Sequence, residues 1–178
     1  MAGQRLTDKT ALAEQTASGD LYMIVDVNDT TGSSAGTSKK IDSKFVIQTD
    51  KISISNAEVL DLDANEKTLV GALSGYMITV YNVTVLCTYA SATESARKDL
   101  LLGFDDADDT IYWGKANDIM DAQTTNVTYV VQASTPAKQG SNRLSILNKP
   151  FICWAQSTGF NGGWSADVYV TYSYTKVL

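Results

Sequence analysis

Catalysis needs particular side chains at particular spacings, and the residue most often used for it is missing here. The 178 residues contain no histidine. That removes the Ser-His-Asp triad, the Cys-His pair and every histidine metal site. The densest set of oxygen ligands is Asp105, Asp106, Asp108 and Asp109, four carboxylates within five residues. Such a cluster suits Ca²⁺ or Mg²⁺, or forms a solvated acidic turn between two strands. We read it as the turn, and expect neither metal nor other cofactor. Asp61-Leu62-Asp63-Ala64-Asn65-Glu66 opens like a calcium loop. An EF-hand, however, needs Gly at the sixth place and Glu at the twelfth, where Glu66 and Ala72 stand. Gly32 to Lys40 resembles a phosphate loop only superficially. The second glycine of that motif falls on Thr37, and Gly36 is followed by Thr37 instead of Lys. Glycoside hydrolysis needs two carboxyls facing each other across a groove, which a contiguous acidic run does not supply. We therefore expect no enzymatic activity.

The other residues with chemical character are aromatic or sulfur-bearing. Trp154, Phe160 and Trp164 surround a glycine-rich turn, Gly159-Phe160-Asn161-Gly162-Gly163. Exposed rings beside Asn and Gly would form a sugar-stacking platform. Turned inward, they would pin the loop to the core or to a neighbouring subunit. Cys87 and Cys153 each sit inside a strand-like run and read as two buried, reduced thiols.

These groups must be positioned by strands. Hydrophobic residues make up 44% of the chain and charged residues 19%, a globular balance. The net charge is −6, and the Lys39-Lys40 pair is too short to displace counterions from nucleic acid, so no nucleic-acid partner is expected. No apolar run approaches 18 residues, so no membrane insertion is expected. The first twenty residues lack the apolar middle of a secretory signal, so the chain is expected to be made and kept in the cytoplasm. In the segment from Ser165 to Tyr174, Ala166, Val168, Val170, Tyr172 and Tyr174 share one face, a period of two that no helix satisfies. Residues 76–89 read as strand but are long for a single one, with both faces mixed, and Asn82 marks a bend or bulge. Further strands are expected at 100–104, 110–113, 126–132, 143–147 and 151–157. Residues 55–62 read as a helical turn or a strand. Residues 7–16 read as a short helix or an extended arm. A compact apolar strand, 21–27, precedes a polar loop at 28–38, and a boundary is placed near 44–52.

Two stretches carry a resemblance. The first reads Leu6-Thr7-Asp8, then Gly19-Asp20-Leu21-Tyr22-Met23-Ile24-Val25-Asp26-Val27-Asn28-Asp29-Thr30, then Ala35-Gly36-Thr37-Ser38-Lys39-Lys40-Ile41. It resembles the N-terminal segment of tailed-phage fibre and virion proteins. The second runs through Ile54-Ser55-Asn56-Ala57-Glu58-Val59-Leu60-Asp61-Leu62, Thr68-Leu69-Val70-Gly71-Ala72 and Gly75-Tyr76-Met77-Ile78-Thr79-Val80, closing with Val168-Tyr169-Val170-Thr171-Tyr172. It resembles a β-sandwich module of phage head, neck and tail-fibre proteins. That pattern often has a Pro before the Leu-Val phrase and a Pro-Gly after it, where Glu66-Lys67 and Ser74-Gly75 stand here.

The resulting expectation is an all-β chain, an antiparallel β-sandwich of jelly-roll type over residues 52–178, preceded by an N-terminal arm or small unit over 1–43. The resemblance implies a structural component of a tailed-phage virion: a head fibre, capsid decoration, neck or tail-fibre protein. Its expected partners are other virion proteins and further copies of itself, with a trimer favoured because phage fibre modules are commonly three-fold. Leu21, Tyr22, Ile24, Val25, Lys39 and Lys40 are the expected attachment residues. The alternative is a receptor module that binds host surface glycan through Trp154, Phe160 and Trp164.

Overall fold

The alternation of apolar and polar residues over 165–174 is carried by a strand, and most other elements among the described residues are strands as well. The computed structural model describes residues 21–32, 34–42, 45–95, 97–104, 111–133, 146–155 and 159–177. The chain divides into two compact units, Met1–Gln48 and Thr49–Leu178. The expected arm or helix at 7–16, the acidic cluster at 105–109 and most of the expected strand at 143–147 lie outside the described residues. Within that last segment, Ile146 and Leu147 are described and belong to a turn.

In the first unit, β1 (Leu21–Asp26) pairs antiparallel with β2 (Thr37–Asp42). An isolated apolar strand needs a partner, and this one finds it within its own chain. The connecting loop is held by its short polar side chains. The backbone N–H of Asn28 donates to Asp26 Oδ1 at 3.1 Å, and that of Thr31 donates to Asp29 Oδ1 at 3.1 Å. Gly36 sits at φ +112°, and a Cβ there would lie 2.7 Å from the carbonyl oxygen of Asp26. Glycine is therefore needed for both conformation and space.

In the second unit, two four-stranded antiparallel sheets pack as a β-sandwich. The strands are β3 (Gln48–Ile54), β4 (Lys67–Val70), β5 (Tyr76–Tyr89), β6 (Leu100–Phe104), β7 (Ile111–Ala116), β8 (Val127–Val131), β9 (Phe151–Ala155) and β10 (Trp164–Lys176). One sheet has the order β3-β10-β5-β8 and the other β4-β9-β6-β7. The pairing is that of a long ribbon doubled back at the β6–β7 connection: β6 pairs with β7, β5 with β8, β4 with β9 and β3 with β10. Rolling the ribbon then brings β5 against β10 and β6 against β9.

The inward face of each strand is the apolar one. Along β10, Ala166, Val168, Val170 and Tyr172 are buried beneath the opposite sheet, and Val83, Val85 and Cys87 of β5 join them. Leu100, Leu102, Phe104, Phe151 and Cys153 supply the other half of the core. Burying each Val, Leu or Phe contributes about 1.5–3 kcal/mol. The long strand β5 stays in register with β10 except at one point: Thr171 opposes Asn82 and Tyr172 opposes Val80. Tyr81 is therefore the extra residue of a bulge, beside the Asn82 that the sequence marks for one.

The undecided segment at 55–62 contains a helix, α1 (Asn56–Leu60). Ser55 caps it and the Glu58 side chain reaches back to the Ser55 backbone N–H at 2.8 Å, a capping box. Lys67 at the start of β4 forms an ion pair with Glu58. Together these contacts hold the Glu58 carboxyl at about 2, well below the usual carboxylate range.

Candidate assembly surfaces and a buried clasp

The expected attachment residues lie on the β1–β2 hairpin. Tyr22 and Ile24 face the same side as Ile41 and Lys39, while Met23 and Val25 share the other with Lys40 and Ser38. Both sides are open: Met23, Ile24, Val25 and Val27 are 63%, 44%, 57% and 70% exposed. A soluble chain normally covers so dense a run of apolar side chains. The two lysines differ. Lys39 Nζ lies 2.8 Å from Asp26 and 2.9 Å from Asp29, so its charge is spent within the hairpin. Those contacts raise the lysine and hold Asp29 at about 2, chiefly through hydrogen bonds from Thr31 and Lys39. The stretch that resembles a phosphate loop thus presents a lysine already neutralised by carboxylates. Lys40 is exposed.

The aromatic cluster divides. Trp164 is 1% exposed and Phe160 4%, and their rings meet edge to face at 5.2 Å. Trp154, on β9, is partly buried. A three-ring stacking platform does not form, because two of the rings belong to the core. The rings pin the turn inward.

A residue without any sequence signal organises this region. Glu94 is 1% exposed, and its Oε2 accepts the backbone N–H groups of Asn161 and Gly162, both at 2.9 Å, and the indole N–H of Trp164 at 3.3 Å. Its own backbone carbonyl accepts the Ala122 N–H at 2.9 Å. One side chain therefore ties segment 90–95 to the glycine-rich turn, and its backbone ties the same segment to the loop after β7. The glycines of the turn follow from this closeness. A Cβ on Gly163 would lie 2.3 Å from Ser91 Oγ and 2.8 Å from the Ala92 nitrogen, and one on Gly162 would lie 2.9 Å from the Glu94 nitrogen. Lys98 Nζ donates to the Gly159 carbonyl at 2.7 Å and closes the other end. Among the described residues these contacts join segment 90–95 to the glycine-rich turn and to the loop after β7, so the arrangement is a clasp that joins loops.

No protein-family model matches the chain, and no curated protein matches it. Among solved structures, one similar chain is described as "Cyanophage Pam1 capsid asymmetric unit": identity is 13%, coverage is 98% of this chain and 99% of that one, and the TM-score is 0.36.

The remaining chemical groups are satisfied internally. Cys87 and Cys153 are free and buried, and burial pushes each thiol up to about 12. Two tyrosines near the end of β10 find partners within the chain. Tyr172 OH donates to Asp50 at 2.7 Å, and Tyr174 OH donates to the Gly71 carbonyl at 2.7 Å. Burial raises both hydroxyls, and for Tyr172 the Asp50 contact adds to it. Among the described residues, no cluster of three metal-ligating side chains forms, and no helix is long and apolar enough to cross a membrane.

Proposed function

We propose that the chain is a non-enzymatic structural component of a tailed-phage virion, acting by assembly and attachment. The observation that carries this reading is the strand order. A ribbon doubled at β6–β7 and rolled into sheets β3-β10-β5-β8 and β4-β9-β6-β7 is, we infer, an eight-stranded jelly roll. Viral capsid and lectin domains use that arrangement. Strand order links the chain to that class by analogy of fold alone. The sites favour the capsid side of the pair. Phe160 and Trp164 are buried away from any sugar, whereas the hairpin exposes apolar residues on both faces.

On this reading residues 1–43 attach the protein to the particle. Tyr22, Ile24 and Val25 form the contact, and Lys40 supplies the free charge. Three copies assemble, as the resemblance to fibre modules implies, and the placement is a head fibre, capsid decoration, neck or tail-fibre position. Expression of residues 44–178 beside the full chain in phage-infected cells tests the division of labour. The truncated protein is expected to stay soluble and to be missing from purified particles. Its normal incorporation refutes the assignment.

A further inference from the structure

The outer face of the sheet β3-β10-β5-β8 differs from an ordinary solvated surface. In a chain of net charge −6, the outward positions of its four strands carry one charge of each sign, Lys51 and Asp167. These two are paired with each other at 2.8 Å. Several of its hydroxyls are tied sideways, strand to strand. Thr49 meets Thr171 at 2.8 Å, Thr79 meets Thr175 at 2.9 Å, Ser53 donates to Asp167 at 2.6 Å, and Tyr81 meets Ser173 at 3.0 Å. Among them stand large apolar groups open to solvent: Val130 at 65% exposure, Tyr81 at 49% and Leu86 at 37%.

Each of these features lowers the cost of covering the face. Polar groups already hydrogen-bonded to one another lose little on leaving water. A charge pair compensated at the surface adds no net field. Side chains fixed on a sheet lose little freedom on contact. The apolar groups gain from burial at about 25 cal/mol per Å². The strands are 7, 13, 14 and 5 residues long in the order β3, β10, β5, β8. At about 3.3 Å per residue and 4.8 Å between strands, they span a projected area of about 600 Å². A stable interface buries about 800 Å² of accessible surface per partner, which a face roughened by side chains approaches.

We propose that this face is the surface through which copies of this chain meet. The occupant follows from charge. Copies that each carry −6 repel one another over most of their surfaces, and a face with no net charge escapes that repulsion. A basic partner would need uncompensated acids, and the one acid here is taken by Lys51. Hydroxyls both donate and accept, so such a face is complementary to its own kind. The proposal deepens the reading of the chain as an assembly component and rests on it, by naming where self-association occurs.

Light scattering on the full-length protein at micromolar concentration tests it, with Val130→Lys and Leu86→Lys as separate variants. Both positions are exposed, and circular dichroism identifies any variant that fails to fold, in which case the other decides. The wild type is expected at a whole multiple of 19.2 kDa. Each folded variant is expected to weaken the association about tenfold or more and move toward the single-chain mass. A wild type at the single-chain mass, or an oligomer that persists in both variants, overturns the proposal. Particle incorporation is scored separately. A single-chain protein found in particles removes the interface and leaves the virion reading standing. A face-dependent oligomer absent from particles does the reverse.

Discussion

Replacing Glu94 with Ala removes the acceptor of three donors: the buried Gly162 N–H and Trp164 indole N–H, and the part-buried N–H of Asn161. A buried donor left without a partner costs about 1–3 kcal/mol. Water admitted to the space recovers part of that, so the loss is expected near 3–5 kcal/mol. This is a large share of the 5–15 kcal/mol that a domain has in total. For a chain of this size each kcal/mol shifts Tm by about 2–4 °C, so the midpoint falls by about 10 °C. Glu94→Gln keeps one acceptor oxygen but loses charge assistance, and a charge-assisted bond is about twice as strong as a neutral one. It is expected to cost about half as much. Glu66, exposed before β4, serves as control, and its replacement by Ala is expected to change stability by less than about 0.5 kcal/mol. Equilibrium urea unfolding, followed by tryptophan fluorescence, reads all three, with Trp164 as a reporter at the site. A loss below about 1 kcal/mol for Glu94→Ala would falsify the clasp.

Three further outcomes follow from the same structure. Gly163→Ala is expected to destabilise by about 1–3 kcal/mol because its Cβ would strike the Ala92 backbone nitrogen, whereas Gly71→Ala, with nothing within 4 Å, is expected to be near neutral in parallel thermal melts. The thiols of Cys87 and Cys153, held near 12 by burial, are expected to stay unreactive toward Ellman's reagent at neutral pH and to react fully in denaturant; rapid native labelling contradicts this. Glu58 has a folded-state value of about 2 against an ordinary 4.5, so its contribution is fully present above pH 4.5 and is lost as pH falls through 2. Urea titrations across that window are expected to show a smaller loss for Glu58→Gln than for the wild type, and equal losses sink the assignment.

The strands with strict alternation were legible from residues alone. β10 reads directly; residues 76–89, long and mixed on both faces, showed the irregularity beside Asn82 but not that they form the single strand β5. β2 was not legible. Thr-Ser-Lys-Lys-Ile-Asp has no apolar alternation, and it forms a strand because β1 lies opposite and Lys39 reaches Asp26 and Asp29. The helix α1 carried a readable signal in Ser55-Asn56-Ala57-Glu58, the spacing of a capping box, which would have settled its type. Glu94 carried none. It stands in a polar stretch, and only the return of the chain at Asn161 and Gly162 supplies the donors that allow a carboxylate to be buried. For the same reason the ring types at 154, 160 and 164 mark a special turn without saying which way the rings point.

Peptide mass spectrometry of purified phage particles, washed free of lysate and dissected into heads and tails, tests the central claim most directly. The account predicts peptides of this chain in one fraction, at a copy number comparable with the other structural proteins there, and no hydrolase activity accompanying them. Absence of the chain from particles that are otherwise complete, with the protein left in the lysate, would contradict it.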